Sequence, residues 1–282
     1  EIGGLSCKGI TLKPEWVIRR ENRRDPVWDF KRRRPAKSRC GSFYRAGSAW
    51  LKEQETVVIA NIAGNTPEEY AQMAEKLSES SVDMIEMNIS CPNVKHGGVQ
   101  FGTSCQSVGA ITREVRAHCK KPLMVKLSPN VSDIAEIARA AESEGADALS
   151  LINTLTGMRI DINTLRPIIR NNTGGLSGPA VFPVAVRMVW QTAGAVKIPV
   201  VGMGGISTWR DAVEMMLAGA SGHPGGLRLL FSDPYAPLKI KEGLNRYLDD
   251  QGIASVTELA GMVKRGKLGD DKHDKNYFGP PL

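Results

Sequence analysis

Leu123-Met-Val-Lys-Leu-Ser-Pro-Asn-Val-Ser-Asp-Ile-Ala-Glu-Ile-Ala-Arg-Ala-Ala-Glu-Ser-Glu-Gly-Ala-Asp-Ala-Leu-Ser-Leu-Ile-Asn153 contains the repeating unit of this chain. A short apolar run, Leu123 to Leu127, gives way to a helical stretch that opens at Ser132-Asp and ends near Gly145, a residue suited to the position after a helix. A second apolar run, Ala148 to Asn153, follows. Working outward, Val57-Val-Ile-Ala-Asn-Ile, Met84-Ile-Glu-Met-Asn-Ile and Pro199-Val-Val-Gly-Met-Gly-Gly repeat the strand half of the unit. Thr66-Pro-Glu-Glu opens a helix with a cap, a proline and two acids that complement the helix dipole. Ser207 is predicted to cap Trp209 to Leu217, with Gly219 as the stop. Short, nearly continuous apolar runs are expected of parallel strands buried on both faces. Repeated β-α alternation predicts a parallel sheet, either an open doubly wound one or a closed (β/α)8 barrel.

Polar residues at the strand ends choose between the two. Asn61, Asn88, Lys126, Asn153 with Thr154, and Gly204-Gly205 end successive runs. A barrel gathers all such ends on one active-site rim, whereas an open sheet collects a ligand mainly at its switch point. Five polar ends in succession favour the (β/α)8 TIM barrel.

The 282 residues are 41% hydrophobic and 24% charged, which excludes a disordered or fibrous chain. No apolar run approaches the roughly 18 to 20 residues of a membrane span, and Glu1-Ile-Gly-Gly-Leu lacks a signal-peptide pattern, so a cytoplasmic protein is expected. The start without Met, inside an apparent strand, predicts that an N-terminal portion precedes Glu1. Five cysteines without zinc spacing predict neither a disulfide framework nor a metal site. The net charge of +7 is confined to one stretch: Glu15 to Ala49 carries eleven Lys/Arg against four Asp/Glu, and the rest of the chain balances.

Asn88-Ile-Ser-Cys-Pro-Asn-Val-Lys-His-Gly-Gly places Cys91 in a loop directly after a strand, where a thiol can serve as base or nucleophile. Cys105 and Cys119 are read as buried and inert, and His96 as an exposed loop residue. Lys126 interrupts an apolar strand, and a lysine in such a place requires an anionic partner. Gly174-Gly-Leu-Ser-Gly-Pro-Ala and Gly202-Met-Gly-Gly-Ile are read as glycine turns after strands that let a phosphate approach backbone N–H groups. Together with the lysine they suggest a phosphorylated cofactor, and flavin mononucleotide (FMN) suits the rim.

These motifs, with Val125-Lys-Leu-Ser-Pro-Asn and Ile152-Asn-Thr, resemble the catalytic subunit of NAD-linked (class 1B) dihydroorotate dehydrogenases, from about Thr56 to Ser221 and again from Ser232, with a short match over Gly3 to Pro14. The resemblance implies oxidation of dihydroorotate to orotate in pyrimidine (UMP) biosynthesis. Cys91 is then the base that takes a proton from C5 while hydride leaves C6 for FMN. Asn88 and Asn153 with Thr154 hold the pyrimidine, and Asn88 also contacts the flavin. Lys126 faces the flavin ring, with Ile152 beside it. Gly178, Gly204 and Gly205 approach the flavin and its phosphate. Lys8, with Gly9, matches the family's early lysine at flavin and substrate. The resemblance further implies a partner subunit carrying FAD and a [2Fe–2S] cluster that passes electrons to NAD, and a homodimer within a heterotetramer. No membrane and no specific nucleic acid is expected as a partner. Dihydropyrimidine dehydrogenases, which share fold and cysteine, are the rival.

The chain departs from that family in three places. The family's first strand, with its Ala-Ser-Gly turn, is expected before Glu1. Residues 15–49 lack the substrate loop, and 222–231 lack a Val-Gly-Thr/Ser phosphate turn. Val27 to Phe43 can be encoded so that a one-base shift yields Cys-Gly-Ile-Leu-Asn-Ala-Val-Gly-Leu-Gln-Asn-Pro-Gly-Val-Glu-Ala-Phe, which contains that loop. Gly222 to Arg228 can likewise yield Ala-Ile-Gln-Val-Gly-Ser. The chain is therefore read as one FMN-binding barrel domain over 1–282, with aberrant segments at 15–49 and 222–231 and a polar tail at 265–282. On that reading the basic stretch has no selected partner. The opposing reading is a nucleic-acid- or membrane-attracted arm in which Trp16, Trp28 and Phe30 stack. Resequencing the coding DNA across both segments tests the frame, and confirmation of both in frame in a functional gene overturns it. The chain as it stands is expected to retain less flavin per chain after desalting than a frame-restored, full-length version and to be inactive; equal stoichiometric retention shows that the segments are tolerated.

Overall fold

Alternate residues of the apolar runs go to two different environments, and that division organises the structure. The computed structural model describes residues 4–6, 29–30, 56–90, 101–222, 233 and 235–263. Its strands are β1 (Gly4–Ser6), β2 (Asp29–Phe30), β3 (Val57–Ile62), β4 (Met84–Asn88), β5 (Leu123–Lys126), β6 (Ala148–Leu151), β7 (Leu155–Gly157), β8 (Ile160–Asp161), β9 (Arg166–Pro167), β10 (Gly174–Ser177) and β11 (Val200–Gly202). Its helices are α1 (Pro67–Ser78), α2 (Cys105–His118), α3 (Ile134–Ser143), α4 (Phe182–Ala193), α5 (Trp209–Leu217), α6 (Ala236–Gln251) and α7 (Val256–Leu259).

The main sheet runs β1-β3-β4-β5-β6-β11, and every neighbouring pair is parallel. Each strand lies beside the one before it in the sheet's chain order, and Val201 makes a further parallel bridge to Gly222. A doubly wound sheet reverses direction at a switch point; this one does not. Curvature is shown by a single hydrogen bond, from Ser150 Oγ in β6 to Glu86 Oε1 in β4 at 2.7 Å. Those strands are separated by β5, and in a flat sheet alternate strands stand about 9.6 Å apart, twice the usual spacing. Side chains from alternate strands meet in one layer when the sheet closes round an axis. The fold is the (β/α)8 barrel type that the polar strand ends predict.

The outer face of the strands is apolar. Val58, Ala60, Ile62, Ile85, Met87, Leu123, Val125, Leu149 and Leu151 are essentially inaccessible and form one core with Tyr70, Met73 and Leu77 of α1, Val108 and Ile111 of α2, and Ile137 and Ala141 of α3. The inner face carries Asn61, Glu86, Asn88, Lys126 and Ser150. Strands that the sequence predicts to be apolar on both faces are thus apolar toward the helices and polar toward the axis. Within β4 the alternation is direct: Ile85 and Met87 face out, and Glu86 and Asn88 face in.

The helix signals hold with one correction. Thr66 Oγ1 accepts from Glu69 N, and Asp133 Oδ1 accepts from Ala135 N and Glu136 N. Gly145 and Gly219 both adopt positive φ after their helices. The cap of α5 is Thr208, where Ser207 is predicted: Thr208 Oγ1 accepts from Asp211 N, and Asp211 Oδ2 accepts from the backbone N of Thr208 and of Ser207. Asp211 at the third helical position completes a reciprocal box only with residue 208.

A second correction concerns residues 155–177. The Gly174-Gly-Leu-Ser stretch, read as a turn, is strand β10, antiparallel to β7 on one side and to β2 on the other. Only Gly178 begins a turn, entering a 3-10 turn, Pro179–Val181, and then α4. A Cβ at Gly175 would overlap the Thr154 side chain, and one at Gly174 would lie 2.6 Å from Ile169 Cδ1, so the glycines serve close strand packing. β8 and β9 form a small antiparallel hairpin within the excursion. Asp29 and Phe30 of the basic stretch pair with Ser177 and Leu176. The rest of 15–49, residues 223–231 and the 265–282 tail lie outside the described residues, as do Lys8, Gly9, Cys91 and His96. Among the described residues no helix is long and apolar enough to cross a membrane.

Thr208→Ala removes the side-chain half of the α5 box and is expected to lower unfolding free energy by about 1 kcal/mol in urea titration. Ser207→Ala, which leaves the box intact, is expected to change it by no more than about 0.3 kcal/mol, within the usual scatter of surface substitutions.

Candidate active site

Glu86 is the deepest charged group of the inner face among the described residues, with 2% of its side chain exposed. Burying a carboxylate is costly unless donors and an opposite charge surround it. The barrel supplies them from three other strands. Asn61 Nδ2 of β3 donates to Oε2, and Ser150 Oγ of β6 donates to Oε1. Lys126 Nζ of β5 lies 3.9 Å from Oε1. The anion that Lys126 requires is therefore Glu86, inside the fold. The lysine side chain keeps 18% exposure, and its amine makes no hydrogen bond to any described residue. At 3.9 Å the pair is electrostatic, beyond hydrogen-bond reach, so the donors of the ammonium remain for a ligand.

One layer above lies an amide cluster. Asn88 Oδ1 accepts from Ser90 N at 3.3 Å, Ser90 Oγ at 3.2 Å and Asn153 Nδ2 at 3.1 Å. Asn153 Nδ2 also donates to Ser90 Oγ at 2.6 Å, and its Oδ1 accepts from Thr154 N at 2.8 Å. Tyr70 OH of α1 donates to the Asn88 carbonyl at 2.7 Å, pinning the strand end to the helix layer. Asn130 bridges to the next loop, donating through Nδ2 to the Thr154 carbonyl at 3.1 Å and accepting through Oδ1 from Thr156 N. This network orients both amides. Both N–H donors of Asn153 Nδ2 are used within the cluster while its Oδ1 keeps a lone pair, and these bonds leave Asn88 Nδ2 as a donor with no acceptor among the described residues.

Beside the cluster, the turns after β10 and β11 meet. Gly178, Gly204 and Gly205 have φ of 109°, 125° and 77°, values that side chains rarely adopt. A Cβ at Gly205 would lie 2.9 Å from the Gly178 carbonyl oxygen and 2.8 Å from Phe182 Cβ, and one at Gly204 would lie 3.0 Å from Ile152 Cγ1. Ile152 joins the cradle to the amides: its N–H donates to the Met203 carbonyl, while Asn153 N–H donates to that of Leu127. The N–H groups of Gly204 and Gly205 donate to no acceptor among the described residues. Two such donors on a turn that leads into a capped helix form a concave site for an anion such as a phosphate.

Asn88, Lys126, Ile152, Asn153, Thr154, Gly178, Gly204 and Gly205 thus come together at the C-terminal ends of the strands. Glu86, Ser150, Ser90 and Asn130 complete the site without having been singled out in the sequence. Glu86 carried the signal that marked Lys126, a charge within an apolar strand; the serines and Asn130 carried none. The two described cysteines differ. Cys119 is buried, and burial pushes its thiol pKa up, in keeping with an inert role. Cys105, expected to be buried, is exposed, because it opens α2 ahead of the first buried residue of that helix, Val108.

A singly wound barrel that gathers a cation, oriented amides and a concave pair of backbone donors on one rim has its candidate site where barrel enzymes carry theirs. Residues 37–248 match the dihydroorotate dehydrogenase family. Three relatives carry the name dihydroorotate dehydrogenase B (NAD(+)), catalytic subunit. That of Lachnoclostridium phytofermentans is 50% identical over 222 residues, which are 79% of this chain and 74% of the relative. That of Geobacter sulfurreducens is 55% identical over 216 residues, 76% and 70%. That of Parabacteroides distasonis is 47% identical over 274 residues, 93% and 86%. The chain belongs to the dihydroorotate dehydrogenase family. The family match includes residues 37–49 of the basic stretch and passes through 222–231.

Gly205→Ala is expected to lower unfolding free energy by about 2 to 3 kcal/mol, combining positive-φ strain with the clash at Gly178. Gly252→Ala, at φ 65° with nothing within 4 Å of the new Cβ, is expected to lose only about 1 kcal/mol from strain. Equal losses in urea titration would show that the two turns do not press on each other.

Proposed function

We propose that this chain is the catalytic polypeptide of an FMN-dependent, NAD-linked dihydroorotate dehydrogenase, which oxidises dihydroorotate to orotate in pyrimidine biosynthesis. The observation that carries the reading is the assembly of Lys126, the Asn88 donor and the Gly178/Gly204/Gly205 cradle on one rim, in a chain about half identical to relatives of that name. Those names favour this reading over pyrimidine reduction and over nucleic-acid binding through residues 15–49.

The residues present fit the cofactor. The glycine cradle has N–H groups without an acceptor among the described residues and the absent side chains that a phosphate requires, Ile152 packs against Gly204, and Lys126 offers a cation for the ring. Bound FMN supplies the two-electron acceptor for the hydride that leaves C6. Asn88 Nδ2, fixed as a donor by Ser90 and Asn153, binds an acceptor on the pyrimidine edge. Thr154, held through Asn153 and Asn130, closes the same side of the site. Cys91 follows Ser90 in the chain and is the base that takes the C5 proton; Lys8 and Gly9, a few residues after Ser6 in the chain, serve flavin and substrate. The words "catalytic subunit" in the relatives' names support a separate electron-transfer subunit, for which we propose FAD and a [2Fe–2S] cluster, in a heterotetramer built on a dimer of this chain.

With excess FMN present, dihydroorotate is expected to bleach the flavin absorbance, and Cys91→Ala is expected to slow that bleaching by about 10²- to 10⁴-fold, the usual contribution of a general base. FMN binding by the variant is expected to equal that of the parent. An undiminished rate in Cys91→Ala removes the cysteine from its role.

A further inference from the structure

We propose that Glu86 is a positioning residue that holds the Lys126 ammonium for the cofactor; this role rests on the FMN reading above. Glu86 is a charged side chain that none of the steps just described uses, and it is the least exposed one on the inner face of the barrel. Both of its oxygens are engaged, Oε2 by Asn61 and Oε1 by Ser150 at 2.7 Å. The donors come from strands on either side, β3 and β6, so the carboxylate cannot swing to follow a ligand.

Lys126 stands in a different relation to it. Its Nζ is 3.9 Å from Oε1, and it donates to no described residue. An ion pair selected for stability alone closes that gap, because desolvating two charges is offset only by close, hydrogen-bonded geometry. Here each carboxylate oxygen already accepts from a neutral donor, Asn61 or Ser150, and the carboxylate acts on the lysine through its charge. The ammonium is drawn toward the axis of the barrel while its N–H donors stay free for a second, electron-rich partner. The register supports the same division: Asn88, Lys126 and Ser150 are direct cross-strand neighbours, and Glu86 lies one inward position below Asn88. Lys126 thus stands in register with Asn88 of the rim, one inward position beyond Glu86, while Ser150, the next residue of that row, turns its hydroxyl to Glu86.

The test is a double-mutant cycle on the full chain, with FMN affinity read by quenching of flavin fluorescence. Glu86→Gln is expected to weaken FMN binding at least fivefold. In a Lys126→Met background the same substitution is expected to change affinity less than twofold, because the residue it acts through is gone. The flavin midpoint potential gives a readout that a packing defect does not mimic. With its ammonium no longer held at the cofactor, Lys126 stabilises the electron-rich reduced flavin less, so Glu86→Gln moves the potential downward relative to the shift the same substitution causes in Lys126→Met, by about 30 mV for each tenfold change in the ratio of reduced to oxidised binding. Equal losses of affinity in both backgrounds, or equal shifts of potential in both, overturn the role of Glu86. A parent chain that binds no FMN overturns the cofactor reading instead, and this role with it. If Glu86→Gln does not accumulate as folded protein, Glu86→Asp replaces it: the carboxylate withdraws by one methylene, affinity falls, and the fall again disappears in Lys126→Met.

Discussion

The buried Glu86 carboxylate is the constraint around which the barrel is arranged. An unpaired charge at 2% exposure is among the most costly features a core can hold, so its partners have to arrive together and in register. They come from β3, β5 and β6, and each partner sits on the inward-facing alternation of its strand. A slip of one residue in any of these pairings would turn Asn61, Lys126 or Ser150 toward the helices and bring an apolar neighbour to the carboxylate. The hydrophobic faces alone specify register through the same alternation, but they tolerate substitution among apolar residues. The carboxylate instead requires donors and a countercharge at fixed places, and it ties four strands into a single arc.

From that layer the rim follows by one step along each strand. Asn88 is two residues beyond Glu86 and shares its face. Asn153 lies just past β6, where Ile152 N–H and Asn153 N–H donate to carbonyls on opposite neighbouring strand ends, Met203 and Leu127. The amides are thereby brought together by backbone bonds before their side chains pair. On the far side, the contact between Gly205 and Gly178 sets how close the two turns come. That closeness is possible only because neither carries a Cβ and because Phe182 begins its helix immediately beneath. The cation, the amide donor and the anion cradle are thus consequences of strand register and of two glycine turns, and no mobile loop is needed to bring them together.

The strand-helix alternation and the position of the rim were legible in the sequence because each rests on a local pattern: apolar runs of strand length, caps, and polar residues where runs end. Lys126 was legible as a residue in need of an anion, because a charge inside Val-Lys-Leu has no local explanation. Its partner was harder to see. Glu86 is forty residues away, and nothing in Met-Ile-Glu-Met states which strand will supply the countercharge. Ser150 and Ser90 are common residue types whose roles come entirely from the neighbours they meet. The stretch from Gly174 to Ser177 was misread for a related reason. Glycine usually marks a turn, and only the packing of Thr154 and Ile169 against Gly175 and Gly174 shows that these glycines sit in a strand. The displaced cap, Thr208 for Ser207, was decided by Asp211, whose carboxylate reaches both backbone N–H groups while its own N–H selects the hydroxyl at the correct spacing.

The two faces of the strands therefore do different physical work. Outward, Val58, Ile85, Val125 and Leu149 bury apolar surface against the helices, and this burial is the main favourable term in folding. Inward, replacing the buried pair with apolar residues of similar volume is often neutral or stabilising in other proteins. A charge network kept in such a place is consistent with selection for chemistry at the rim, at some cost in stability. Asn61, Glu86, Lys126 and Ser150 are bound to one another by charge and hydrogen bonding. A change at any one of them leaves a buried donor, acceptor or charge without its partner.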